Sequence, residues 1–179
     1  MADTAVIYTS KYGSTKQYAQ WLKEALHADL YESSEFKKDD FKKYQTIIYG
    51  GGLYASGING IGLIKKNMQL LADKNVIVFT VGLENPKNVA NFVPIIEKNF
   101  TDEMKEKIAV FHLRGSMDYS KLNFMHRSMM GMVKKVVSKK PATQRTEDDT
   151  KMLQTFGEAV DFVDKTTIAP IIELAESFT

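Results

Sequence analysis

The sequence predicts an α/β domain in three layers, a five-stranded parallel sheet in strand order 2-1-3-4-5 with helices on both faces. Three observations predict it. Short apolar runs rich in β-branched and aromatic residues alternate along the chain with stretches of helical periodicity, the pattern of parallel strands joined by helical crossovers. Two of the runs, Thr-Ile-Ile-Tyr and Val-Ile-Val-Phe, are continuously apolar, as strands covered on both faces are. The first run breaks into a small, hydroxyl-rich loop followed by a helical pattern, the unit that opens a nucleotide-binding parallel sheet.

The strand runs lie at residues 4–8, 29–32, 46–49, 76–81 and 108–113, the second being the weakest. Helical spacing is expected over 15–27, 61–72, 88–100, 120–137 and 147–164. In the first helix Tyr18, Ala19, Leu22, Ala25 and Leu26 share one face. No composition break or internal repeat divides the chain, so residues 1–179 are expected to form one domain. Residues 139–149, with Pro141 and mixed charge, are expected to be a surface connection.

Composition excludes several classes. The chain of 179 residues carries a net charge of +2, which supplies no whole-molecule field for nucleic acid. It has no cysteine, so disulfides, thiol redox chemistry and cysteine-ligated metal or iron–sulfur centres are excluded. His27, His112 and His126 are scattered without metal-ligand spacing, and no metal is expected. The first strand begins within a few residues of the start, leaving no room for a signal peptide, and no apolar run is long enough to span a bilayer. The expectation is a soluble cytoplasmic protein.

The richest segment is Ser10, Lys11, Tyr12, Gly13, Ser14 and Thr15, between the first strand and the first helix. A strand–loop–helix turn aims free backbone N–H groups and the positive end of a helix dipole at one point, which makes an anion site. It lacks both the Gly-x-x-x-x-Gly-Lys-Ser/Thr spacing and the Gly-x-Gly-x-x-Gly spacing of other nucleotide loops. A single glycine and several hydroxyls suit a phosphate monoester held by neutral donors. After the third strand, residues 50–60 are rich in glycine and include Gly52, Leu53, Tyr54, Ala55, Ser56 and Gly57. In a sheet of this order ligands sit outside the C-terminal strand ends near the point where strand order reverses, so this loop is expected beside the phosphate. The loop after the fourth strand contributes Val81, Gly82 and Leu83.

The first segment resembles the phosphate-binding signature of flavodoxins. Val6, Ile7, Tyr8, Ser10, Gly13, Thr15 and Ala19 fill its specified places, while Tyr12 stands where many flavodoxins have threonine. The resemblance covers almost the whole chain and implies non-covalent FMN, with the phosphate at residues 10–15 and the flavin ring between residues 52–57 and 81–83. Tyr54 matches a place where flavodoxins stack an aromatic on the ring. Beyond the fifth strand, Gly115, Met117, Asp118 and Tyr119 lead into a long helical stretch. This is similar to a Gly-x-x-x-Tyr stretch of bacterial flavodoxin-like protoporphyrinogen oxidases, and it places these four residues near the ring.

From Tyr119 to Thr146 the chain has basic residues and no acid, and Leu122, Met125, Met129, Met132, Val133 and Val136 recur at helical spacing. Two readings stay open for this stripe: a core helix packed on the sheet, or a face that meets a partner. The partners expected are a redox protein or a small hydrophobic electron donor or acceptor, with peripheral contact to the inner membrane face through the 120–140 helix. No catalytic side chain is assigned, since flavin carries the chemistry. Electron carrier and oxidase-like enzyme remain alternatives, beside a flavin-free binding or regulatory module of the same fold.

Overall fold

The computed structural model describes residues 3–178; the two ends of the expected 1–179 unit lie outside them. In chain order the strands are β1 (Thr4–Thr9), β2 (Asp29–Glu32), β3 (Thr46–Tyr54), β4 (Gly57–Ile58), β5 (Asn75–Gly82), β6 (Ala109–Arg114), β7 (Ser116–Asp118) and β8 (Ala159–Asp161). The helices are α1 (Ser14–Leu26), α2 (Gly62–Lys65), α3 (Val93–Asn99), α4 (Asp102–Lys107), α5 (Phe124–Lys139), α6 (Glu147–Gln154) and α7 (Ala169–Glu176). The main sheet runs β2-β1-β3-β5-β6, all parallel. Counting only the parallel strands, this is the expected order 2-1-3-4-5. The two-residue β4 folds back antiparallel on β3, and β7 pairs with β8 as a separate ribbon.

Alternation of side chains along the strands divides the core in two. Ala5, Ile7, Ile47, Tyr49, Val76 and Val78 face one side, where they meet Phe41 of the turn between β2 and β3 and Ile64, Leu71, Phe92, Ile95 and Met104 of α2, α3, α4 and the turns between them. Val6, Ile48, Ile77, Phe79 and Leu113 face the other, against Tyr18, Ala19 and Leu22 of α1 and Ile168, Ile171 and Ala175 at α7. The β1 register, with Val6 beside both Leu30 and Ile48, keeps each apolar set on its own face.

Several helix boundaries differ from expectation, each for a local reason. The helix expected over 61–72 stops after α2, because Asn67 Nδ2 donates to the Leu63 carbonyl at 2.8 Å and competes for the helix ladder. The helix expected over 88–100 starts only at α3, where Pro94 stands in the first turn, a place that needs no N–H. Thr101 then caps α4, its hydroxyl accepting the Met104 N–H. Likewise Asn123 Oδ1 accepts the His126 N–H at 2.8 Å and sets the start of α5 four residues later than expected. The helix expected over 147–164 ends at Gln154; the chain turns at Gly157 and pairs as β8 with β7. The helix that covers the sheet at this end is α7, which sequence reasoning missed.

The core also holds a titratable group. His112 stacks on Phe92 at 3.9 Å between ring centres, and its Nδ1 lies 2.6 Å from Thr80 Oγ1. Burial pushes its pKa down from 6.5 to about 4. Between those values the unfolded chain binds a proton that the folded chain refuses, so stability is complete above pH 6.5 and falls as pH drops toward 4. Allowing for solvent screening at a half-buried site, the loss is expected to reach about 2 kcal/mol. Urea unfolding at steps from pH 7.5 to 4 checks this, and His112→Gln is expected to flatten the slope.

Candidate functional site

At the C-terminal end of the sheet the turns after β1, β3, β5 and β6 converge on a cavity of about 250 Å³. The β1–α1 turn forms one wall. Ser10 Oγ accepts the Gly13 N–H at 3.1 Å, and Gly13 takes φ 102°, a left-handed conformation that favours glycine. The first amide to bond inside α1 is that of Gln17, donating to the Gly13 carbonyl at 3.0 Å. The N–H groups of Ser14, Thr15 and Lys16 therefore open the helix with no helical carbonyl ahead of them. No acid occupies that first turn, so the positive end of the helix dipole is left for an anion. Ser10, Lys11, Tyr12, Ser14 and Thr15 line the cavity; Gly13 shapes the turn without lining it. The Ser14 hydroxyl is partly engaged elsewhere, accepting the Ser116 N–H at 3.0 Å with Ser116 Oγ at 2.9 Å.

The glycine-rich segment is mostly strand. Gly50, Gly51 and Gly52 continue β3 in register with β5, and the first two also with β1. Beyond them Leu53 and Tyr54 pair with Ile58 and Gly57 across a two-residue turn. Ala55 and Ser56 both take positive φ, 48° and 62°, the geometry of a tight hairpin turn usually given to Asn-Gly. Asn99, buried at the end of α3, holds this strained turn. Its Oδ1 accepts the Ile58 N–H at 3.1 Å, and its Nδ2 donates to the carbonyls of Ser56 at 2.7 Å and Ile95 at 2.8 Å. Gly52, Leu53, Tyr54 and Ala55 line the cavity, whereas Ser56 and Gly57 turn away toward α3.

Val81, Gly82 and Leu83 form the next wall. The Arg114 guanidinium fixes it, with Nε and Nη2 donating to the Leu83 carbonyl at 3.0 and 2.8 Å, and the Gly115 N–H donates to the Gly82 carbonyl at 2.7 Å. A Cβ on Gly115 would stand 2.8 Å from Val81 and 3.3 Å from Ser14, so glycine is what lets the β1–α1 turn and the β6–β7 junction close on each other. Gly115 and Met117 line the cavity. Asp118 and Tyr119 do not: Asp118 Oδ1 accepts the Ser120 N–H at 3.0 Å, and Tyr119 packs on Phe156 at 4.7 Å.

The last wall is α5 with Leu122 just ahead of it. Leu122, His126, Met129, Met130 and Val133 line the cavity. Of the stripe expected from spacing, Leu122, Met129 and Val133 thus face the cavity, while Met125, Met132 and Val136 turn outward, 60%, 66% and 63% exposed. Nor is α5 a core helix on the sheet, since only His126 and Val137 of its residues are buried. Apolar residues spread widely around the helix, so periodicity alone does not choose the arc that His126 and Met130 complete. Tyr12, the departure from the phosphate signature, now has a role. Its hydroxyl lies 2.7 Å from His126 Nδ1, and His126 stacks on Tyr54 at 4.6 Å and 13°. This contact ties α5 to the first and third turns.

Electrostatically the cavity is one-sided. Lys11 is the single fully charged side chain lining it, and no carboxylate does. Burial, with Lys11 nearby, pushes the His126 pKa down, and burial with Tyr12 pushes Tyr54 up to about 12. Free helix amides, hydroxyls and one lysine at one end, with an apolar slot beside them, fit a phosphate monoester carrying a flat aromatic ring, as in FMN. The described residues contain no His/Cys/Asp/Glu group that could hold a metal ion, and no helix among them is long and apolar enough to cross a membrane.

No curated protein matches the chain. Among solved structures, the Trp repressor binding protein from Bacillus subtilis is similar at 19% identity over 63% of this chain and 83% of that one, with a TM-score of 0.45. A flavodoxin, WrbA-like protein from Agrobacterium tumefaciens is similar at 14% identity over the full length of both, TM-score 0.46. Rubredoxin oxygen:oxidoreductase from Desulfovibrio gigas is similar at 13% identity over 99% of this chain and 37% of that one, TM-score 0.47. The family model for the flavodoxin domain matches residues 5–144, most of the chain and all four cavity-forming turns, and the protein belongs to the flavodoxin domain family.

Proposed function

We propose that the protein binds FMN non-covalently in this cavity and serves as a redox flavoprotein. The observation that carries the reading is the convergence of an acid-free helix N-terminus and two close-packed turns on one carboxylate-free cavity. The amides of Ser14, Thr15 and Lys16, with the hydroxyls of Ser10 and Thr15, would hold the phosphate. Gly52 to Ala55 and Val81 to Leu83 would flank the ring, Tyr54 offering its aromatic surface. When bound, FMN supplies one- and two-electron transfer. His126, Met129 and Met130 exclude water from the slot, and Lys11 favours negative charge within it. The test is the purified protein's visible spectrum and the identity of the flavin released by acid. A yellow protein releasing FMN is expected; a protein that stays colourless after reconstitution, or that releases FAD, would falsify the reading.

A cavity with a lysine and no carboxylate does not penalise negative charge on reduced flavin. The midpoint potential of the bound flavin is therefore expected to be no more negative than that of free FMN in the same buffer, as a reductive titration would show.

A second contact belongs to this reading. The outward face of α5 presents Met125, Met132 and Val136 beside Lys135 and Lys139, an apolar strip flanked by cations that fits an anionic membrane surface. Sedimentation with phosphatidylglycerol vesicles and not with phosphatidylcholine vesicles is expected. Met132→Glu with Val136→Glu should abolish it, and high salt should weaken it.

A further inference from the structure

We propose that a second cavity, separated from the first by a shared wall, is the binding site for an uncharged, largely apolar aromatic molecule. This cavity, about 500 Å³, lies between β6, the β7–β8 ribbon, α5 and α6. Leu83, Met117, Met130 and Val133 line both cavities, so a molecule held in the second sits one side-chain layer from the slot assigned to the flavin ring. As a binding site the inference stands alone; as the seat of the small redox partner it rests on the FMN reading.

The lining defines the ligand. Val137, Met152, Phe156, Val160 and Phe162 make the interior apolar and aromatic. The methionines from α5, β7 and α6 give it walls that adapt to an irregular shape, and its volume falls within the range of about 300–1,000 Å³ usual for small-molecule sites.

The cations around it are already paired. Arg114 lies 3.6 Å from Asp148 and stacks at 3.8 Å over the Phe162 ring; Lys140 pairs with Asp149 at 2.8 Å and Lys151 with Glu147 at 2.8 Å. Of the remaining lining acids, Asp161 Oδ1 accepts the Val163 N–H and Glu84 Oε1 the Asn88 amide. No lining cation is left over for a phosphate, sulfonate or carboxylate, and a buried anion without a partner is costly. The ligand is therefore not an anion, and the apolar, aromatic interior favours an uncharged one; a dinucleotide does not suit the site.

Two probes with the same aromatic skeleton test this. N-phenyl-1-naphthylamine is neutral and brightens when it leaves water; 8-anilino-1-naphthalenesulfonate adds one negative charge. The neutral probe is expected to bind the purified protein in a one-to-one saturable manner, at least tenfold more tightly than the sulfonate. Met152→Trp and Val160→Trp, which fill the cavity from two different elements, should each weaken the neutral probe tenfold or more while FMN titration stays unchanged. Met132→Glu, on the outward face of α5, should leave the probe unaffected. Equal affinity for the two probes overturns the proposal. So does a neutral-probe affinity that survives both tryptophan substitutions, or one lost with Met132→Glu. If the protein fails to bind FMN while the probe still responds to the tryptophans, the flavin reading falls and the site stands.

Discussion

Replacing Asn99 by leucine is expected to destabilise the protein by about 3 kcal/mol and to weaken FMN binding more than tenfold. Leucine nearly matches the volume, so the loss is not a cavity effect. Three hydrogen bonds vanish with the amide, and the Ile58 N–H and the Ser56 carbonyl lose the partner that holds them. A buried backbone group without a partner costs about 1–3 kcal/mol. The turn it clamps has Ala55 and Ser56 in left-handed conformations, a strain that persists only while neighbours hold it. Once released, the hairpin no longer fixes Tyr54, the aromatic surface assigned to the flavin ring. Urea unfolding and an FMN fluorescence titration check the two parts separately. Unchanged FMN affinity with lowered stability would detach Asn99 from the site.

Tyr18→Phe is the second large effect, a loss of about 2–3 kcal/mol with the packing of α1 intact. The Tyr18 ring is fully buried; its hydroxyl donates to the Arg114 carbonyl at 2.7 Å and accepts the Asp164 N–H at 3.0 Å. One hydroxyl thus joins α1 to the end of β6 and to the connection between β8 and α7. Phenylalanine keeps the ring but leaves two backbone groups unsatisfied. The urea midpoint should fall while the slope of the transition stays the same, because the surface exposed on unfolding is unchanged.

Both residues show where sequence reading reaches its limit. The five parallel strands, their order and the hydroxyl-rich turn were legible because each is local: a continuous apolar run, a single glycine before a helical pattern, a spacing of three and four. Asn99 gave no such signal, since an asparagine at a helix end is most simply a cap. Its real partners are about forty residues away in the hairpin. Tyr18 was placed correctly on the buried face of α1, but nothing local announced that its hydroxyl would serve two distant backbone groups. Tyr12 looked like a departure from the phosphate signature until folding brought His126 to it, more than a hundred residues on.

The α5 region makes the same point on a larger scale. Its helicity and basic, methionine-rich character could be read from spacing and composition, yet the arc that faces the cavity could not. An amphipathic stripe points inward only if something is there to bury it, and here the covering surface is made by turns from β1, β3 and β6 together with α6 and β8. What the sequence by itself determined is the layered α/β plan and the hydroxyl-rich turn that opens α1 with free amides, because propensity, periodicity and helix starts act over a few residues. What only the tertiary structure decided is which side of α5 closes the slot, how Asn99 and Tyr18 hold the site together and that a second cavity, its cations already paired, stands against the first. Those depend on contacts between segments far apart in the chain, where packing and hydrogen-bond satisfaction are settled.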